Sequence, residues 1–285
     1  MVPVVFALLT ALCNGTASVL QRLAAQTAPA AKALHLSLLA YLARNQVWLA
    51  GIGLIILAAV CQAVALATGP VALVQPIFII ELPFSLLVAS RMMRRGLARM
   101  TWAAVVLVTV SLGTGLAAAA PSGGTDTASA KTWALTIAVT AAFEAVVIAI
   151  GVRTRGNARG AAFGLAAGCG YALTATLMKA AMAALSHGAG PFFGSWQLYA
   201  TAAAGVGSLF LLQNGMQAGL LLAVQPPLTL GDALISASFG VTVYGETIRT
   251  GGWLAVEILA VLAVAAGIVQ LSRSLAAVHG PGPAR

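Results

Sequence analysis

Nine apolar runs, each about twenty residues long, follow one another from residue 2 to residue 272 of the chain. They fall at roughly 2–22, 48–68, 70–90, 101–120, 132–151, 161–183, 196–214, 217–240 and 252–272. A hydrocarbon layer of about 30 Å is crossed by about 20 helical residues, and inside it each backbone amide must be satisfied within its own helix. The runs therefore predict an all-α, polytopic bundle with lipid as its outer solvent. Composition agrees: 60% of the 285 residues are hydrophobic and 7% are charged, against about 25% charged in a soluble domain. The segment 31–46, AAKALHLSLLAYLARN, is shorter and interleaves its leucines with Lys32, His35 and Arg44. It reads as an amphipathic helix lying on the membrane, with a short tenth span as the alternative.

Charge distribution orients the bundle. With nine spans, one face receives Arg22, Lys32, Arg44, Arg91, Arg94, Arg95, Arg99, Arg153, Arg155, Arg159, Arg273 and Arg285; the other receives Lys131, Lys179 and Arg249. The basic-rich face is expected in the cytoplasm of a bacterial plasma membrane. This puts the N-terminus outside and the tail HGPGPAR inside. The five tryptophans, Trp48, Trp102, Trp133, Trp196 and Trp253, each open a span, where an aromatic belt belongs. The net charge of +9 thus reflects topology rather than nucleic-acid binding.

Several classes find no support. The N-terminal run lacks a basic leader and reads as a span rather than a cleaved signal. No phosphate-binding G-x-x-x-x-G-K-[ST] occurs. Cys13, Cys61 and Cys169 lie singly in apolar runs, and His35, His187 and His279 are scattered. No disulfide, cofactor, thiolate metal site or enzyme nucleophile–base pair is expected.

The two halves of the chain resemble each other. At a shift of 151 residues Gln62 meets Gln213, Pro76 meets Pro227, Glu81 meets Asp232 and Trp102 meets Trp253. At 150, Val74-Gln75-Pro76 meets Val224-Gln225-Pro226; at 157, Phe6, Leu20 and Arg22 meet Phe163, Leu177 and Lys179. The expected organisation is a first repeat of four spans in 1–120, a loop and linker span in 121–151, a second repeat in 152–272 and a tail in 273–285. An odd linker inverts the second copy. Inverted repeats are a mark of secondary transporters, which bind solute near the midplane between the halves. The loop PSGGTDTASAK (121–131) reads as a flexible connector.

Spans 3 and 8 carry the most informative residues, VALVQPIFIIELPFSLL (71–87) and LLAVQPPLTLGDALISA (221–237). Proline removes an amide donor and crowds the carbonyl one turn back. Kinks are expected at Pro76, Pro83, Pro226 and Pro227, with freed carbonyls facing protein or water. Of six acidic residues, Glu81, Glu144, Asp232 and Glu257 fall inside spans. An isolated ionised carboxylate at the bilayer centre costs about 2.5–3.5 kcal/mol, so protonation, pairing or water contact must relieve it. Glu81 and Asp232 rank first because the repeat relates them; Glu144 lies on the linker span, and Glu257 is near enough to Trp253 to reach the interface. A carboxyl group away from water favours its protonated form, which suits either a coupling proton or a bound cation. Gln62, Gln75, Gln213 and Gln225 add polar groups. Asn14, Thr16 and Ser18, matched by Tyr171, Thr174 and Thr176, either line the same cavity or bond helix to helix. Arg22 and Lys179 are expected to snorkel, and Gly160, Gly164 and Gly168 to form a packing ladder.

The repeated V-Q-P element, the stretch FGVTVYGE and the closing YGETIRTGGW…AAGIVQLSRS resemble the drug/metabolite transporter superfamily, in its EamA and NIPA-like nine-span forms. Gly245-Glu246 matches the glycine–glutamate ending of the second EamA repeat; Arg91-Met92-Met93-Arg94 replaces it in the first. The resemblance implies a transporter moving a small polar solute by alternating access, with proton coupling, or a NIPA-like magnesium transporter using Glu81 and Asp232. A non-transporting membrane subunit or sensor is the alternative from another class. The expected partners are the solute or ion, protons and the lipid bilayer, with a homodimer left open.

Overall fold

A computed structural model describes residues 1–26, 44–92, 98–218 and 221–279. Most of the segment 31–46 and the loop holding Arg94 and Arg95 lie outside the described residues. The regular structure is helical: α1 Val2–Gln26, α2 Gln46–Thr68, α3 Val71–Ile77, a 3₁₀ turn Phe78–Ile80, α4 Glu81–Met92, α5 Arg99–Ala119, α6 Ala130–Arg153, α7 Gly156–Leu185, α8 Ala189–Gly194, α9 Trp196–Ala218, α10 Leu221–Tyr244 and α11 Trp253–His279. Among the described residues the β pairing is one isolated bridge, Ser122 with Thr247.

Local chemistry sets these boundaries. The Asn45 side chain accepts from Val47 N at 2.9 Å and starts α2, and Ser129 Oγ accepts from Thr132 N at 3.1 Å and starts α6, as N-caps do. Pro76 sits inside α3, the 3₁₀ turn follows at once, and the chain restarts as α4 at Glu81. The third span is thus broken where its prolines predict. The eighth is not. Pro226 and Pro227 sit inside α10, which runs unbroken through Tyr244. They fall in its second turn, so the missing donors release only first-turn carbonyls; the expected mid-helix kink is absent there.

Seven stretches are long and apolar enough to cross a membrane among the described residues: Val2–Leu20, Gln46–Thr68, Val71–Met92, Arg99–Ala119, Ala130–Arg153, Gly156–Leu185 and Trp253–Leu271. The α9 helix has a shorter apolar stretch, Trp196–Leu212. Helix α10 is 24 residues long, but Gln225, Thr229 and Asp232 dilute it. The exterior is apolar: Val206 is 69% exposed and Leu259 67%. That suits a hydrocarbon solvent and would be costly in water.

Helix α7 is the hub. It packs on α9, α10 and α6, while α1 packs on α2 and on α3–α4. Helix α3 lies on α10, and α5 pairs with α11. Missing side chains make the close approaches possible. A Cβ at Gly15 would sit 2.9 Å from Glu81 O on the broken span, and one at Gly164 2.5 Å from Val224 O. One at Gly168 would strike Leu228 O and lie 3.0 Å from Asp232 N. The ladder expected on span 6 therefore seats α7 against α10 through Gly164 and Gly168, as small residues do in membranes.

Two expectations need correction. Trp102, Trp196 and Trp253 are exposed as belt residues should be, but Trp133 is buried, edge-on to Trp196 at 5.5 Å and to Tyr244 at 6.4 Å. The 121–131 loop is not free: Thr125 N donates to Tyr244 O at 2.8 Å, and Ser122 and Thr247 exchange backbone bonds of 3.0 and 2.9 Å.

Candidate functional site

The central acids come together where the close-packed helices meet. Glu81 opens α4 immediately after the 3₁₀ break, and Gly15 lets α1 approach it. Asn14 and Ser18 of α1 lie beside the Glu81 carboxyl, close enough to stabilise its charge. Asp232 lies on α10 behind Gly168, and Ser236 Oγ donates to its Oδ1 at 3.1 Å. The two carboxyls stand within charge–charge range of one another, and the Tyr171 phenol of α7 lies within range of both. Four elements thus converge on two acids and a set of hydroxyl and amide groups. No Lys or Arg is paired with either acid among the described residues. Such a set can hold a proton or a cation.

The remaining sequence candidates are placed less centrally. Gln225 lies on the Asp232 face of α10, roughly 10 Å further along it, and is partly buried. Gln75 is buried just before Pro76, and its Nε2 has no hydrogen-bond partner among the described residues. Gln62 is partly buried on α2; the side chain of Gln213 lies outside the described residues, as does that of Arg22. Pro76 is half-buried just before the 3₁₀ turn, and Pro226 is buried in the second turn of α10. Thr16, Thr174 and Thr176 spend their hydroxyls on carbonyls of their own helices, at 2.7, 2.8 and 2.7 Å. Glu144 does not join the pair. Its Oε1 lies 3.1 Å from where a Cβ at Gly170 would stand. Gly168 and Gly170 point about 200° apart around α7, so Glu144 and Asp232 flank opposite sides of that helix. Glu257, expected near the interface, has its Oε1 buried and without a partner among the described residues.

A second constellation was not expected. Lys179 does not snorkel: it is 5% exposed and its Nζ lies 3.0 Å from Glu246 Oε1. Glu246 is buried, and its two oxygens accept from Val71 N at 2.6 Å and Ala72 N at 2.8 Å. Lys179 also donates to Gly69 O at 3.3 Å and stands 4.8 Å above the Tyr244 ring. The Tyr244 hydroxyl donates to Thr176 O at 2.5 Å. Glycine suits position 245, where a φ of +65° that side chains rarely adopt ends α10 and turns the next carboxylate back into the bundle. The carboxylate then meets the positive, amide-rich start of the span that begins with α3. This latch joins both halves of the chain at the end where α2 turns into α3. Two signals for it were present in the sequence. Lys179 lies six residues inside α7, about 9 Å from its end, and a flexible glycine precedes an acid in FGVTVYGE.

Among the described residues, no three His, Cys, Asp or Glu side chains are grouped as a metal cage. The chain is 25% identical over 273 residues to an uncharacterized protein of Corynebacterium glutamicum, covering 95% of this chain and 94% of that one. That likeness spans both halves of the chain. No family model matches the chain, and no solved structure matches it.

Proposed function

We propose that this protein is a secondary transporter of the plasma membrane, moving a small polar solute by alternating access with protons exchanged at Glu81 and Asp232. The observation that carries the reading is the meeting of these two acids, unpaired with any basic residue among the described residues, where a broken span meets close-packed helices. Packing supports an inverted repeat: α1 lies on α2 and α3–α4 as α7 lies on α9 and α10, while α3–α10 and α5–α11 join the halves. In this reading α9 and α10 also cross the membrane, making nine spans. The Lys179–Glu246 latch closes one end of the interface, as one limiting state of an alternating-access cycle requires.

The test uses the whole chain in proteoliposomes loaded with a pH-sensitive dye and challenged with amines, amino acids and nucleosides. At least one solute is expected to drive proton flux, and the Glu81→Gln, Asp232→Asn double variant to abolish it. Full flux in that variant removes the assignment. No flux beyond protein-free vesicles from any solute favours a non-transporting subunit or sensor. The second reading is divalent-cation transport: two carboxylates with the oxygens of Asn14 and Ser18 suit Mg²⁺ that keeps several waters. Magnesium entry reported by an internal dye, lost in the same variant, would favour it.

A further inference from the structure

The corner between α6 and α7 is built from cations. Helix α6 ends at Arg153, Thr154 and Arg155 form the whole connection, and α7 starts at Gly156 with Arg159 close behind. The corner is tight: Thr154 N donates to Ile150 O at 3.1 Å, and the Thr154 hydroxyl donates to Gly151 O at 3.1 Å. The Arg159 guanidinium lies 5.5 Å from the centre of the Phe163 ring. That ring is wedged against α6, where a Cβ at Gly151 would stand 3.5 Å from Phe163 Cε2. Arg159 is thereby held beside the last turn of α6, next to the exposed Arg153 and Arg155. No carboxylate answers this charge. The acidic side chains of the chain are Glu81, Asp126, Glu144, Asp232, Glu246 and Glu257, and Glu144 stands nine residues before Arg153, about 13 Å along α6. Among the described residues no ion pair reaches any of the three arginines, and Arg159 Nε is buried without a hydrogen-bond partner. The first turn of α7 holds no acidic residue, and the Arg155 side chain caps no amide, so the positive helix start adds to the excess.

The counter-anion therefore comes from outside the chain, and the adjoining surface indicates what carries it. Phe143, Val146 and Ile150 are exposed and lead at helical spacing to Arg153, forming one stripe of α6. A free anion would leave that stripe unused, and an acyl chain alone would leave the guanidinium groups unmatched. A phosphate carried on its own acyl chains meets both. Guanidinium groups grip phosphate oxygens in a fork, and basic residues at a membrane surface draw anionic lipid. We propose that the α6–α7 corner binds an anionic phospholipid, its phosphate among Arg153, Arg155 and Arg159 and an acyl chain along Ile150, Val146 and Phe143. The site lies at one end of the bundle, away from Glu81 and Asp232, and does not depend on transport by that pair.

The test is native mass spectrometry of the full chain in neutral detergent, titrated with phosphatidylglycerol and, separately, with phosphatidylcholine. Phosphatidylglycerol is expected to bind saturably and roughly tenfold or more tighter than phosphatidylcholine. The Arg153→Gln, Arg155→Gln, Arg159→Gln triple variant should lose that preference. Arg155→Gln alone, at an exposed position that caps no amide, should weaken phosphatidylglycerol binding about fivefold; it keeps the test decisive should the triple variant fail to fold. Arg99→Gln and Arg273→Gln, exposed on the α5–α11 pair, should bind as the parent does. Equal binding of the two lipids overturns the proposal, as does an unchanged preference in the corner variants. Equal losses from Arg99→Gln or Arg273→Gln overturn it too, marking a diffuse attraction of the whole basic face. Equimolar inorganic phosphate should leave the lipid bound; its displacement would overturn the proposal and mark a free-anion site.

Discussion

Lys179 and Glu246 show how much one carboxylate can hold when burial, a helix start and a cation coincide. Removing one partner of a buried pair leaves the other uncompensated and costs about 3–5 kcal/mol, whereas replacing both with apolar groups is often far milder. Glu246→Met is therefore expected to lower the unfolding temperature in detergent sharply. The Lys179→Met, Glu246→Met double variant should recover part of the loss, though Val71 N and Ala72 N remain without their acceptor. A double variant as unstable as the sum of the singles would show that the two side chains act independently. Sequence distance hid this pair: its members are 67 residues apart, and Glu246 has no acidic counterpart in the first repeat, where Arg91-Met92-Met93-Arg94 stands. Glu81 and Asp232 were legible because the repeat marks both at one register.

Helices in this bundle meet where side chains are absent. Gly168→Val would push branched carbons into Leu228 O and Asp232 N, forcing α7 from α10. Overpacking of this kind costs about 1–3 kcal/mol and here also displaces Asp232. Gly53→Ala, whose added carbon meets nothing within 4 Å, should leave the unfolding temperature unchanged or slightly raised by helix propensity. Equal effects from the two changes would contradict the packing described. The glycine ladder was readable from its four-residue spacing. Which helix it contacts was not, because a small-residue stripe fits any apolar partner. Proline told half the story: Pro76 broke its span, while Pro226 and Pro227 fell in the second turn of α10 and did not.

At the scale of the molecule, the apolar exterior and lopsided basic residues make orientation testable. The proposed nine spans would place the two termini on opposite faces, with the C-terminus expected on the basic, cytoplasmic side. A C-terminal fluorescent-protein fusion should be bright and a C-terminal alkaline-phosphatase fusion silent, while an N-terminal epitope is reached from outside in intact spheroplasts. Both termini on one face would mean an even number of spans and make 31–46 a membrane crossing.

Hydropathy by itself determined that this chain is a multi-helix membrane bundle, since lipid tolerates few other ways to satisfy a backbone, and internal similarity marked the acids worth watching. Tertiary packing alone decided which charges are neighbours. It joined Lys179 to Glu246, left Glu81 and Asp232 without a basic partner among the described residues, and set Glu144 apart across α7. Those outcomes depend on the direction each helix face turns and the depth to which it sinks, which a linear pattern of apolar residues does not encode.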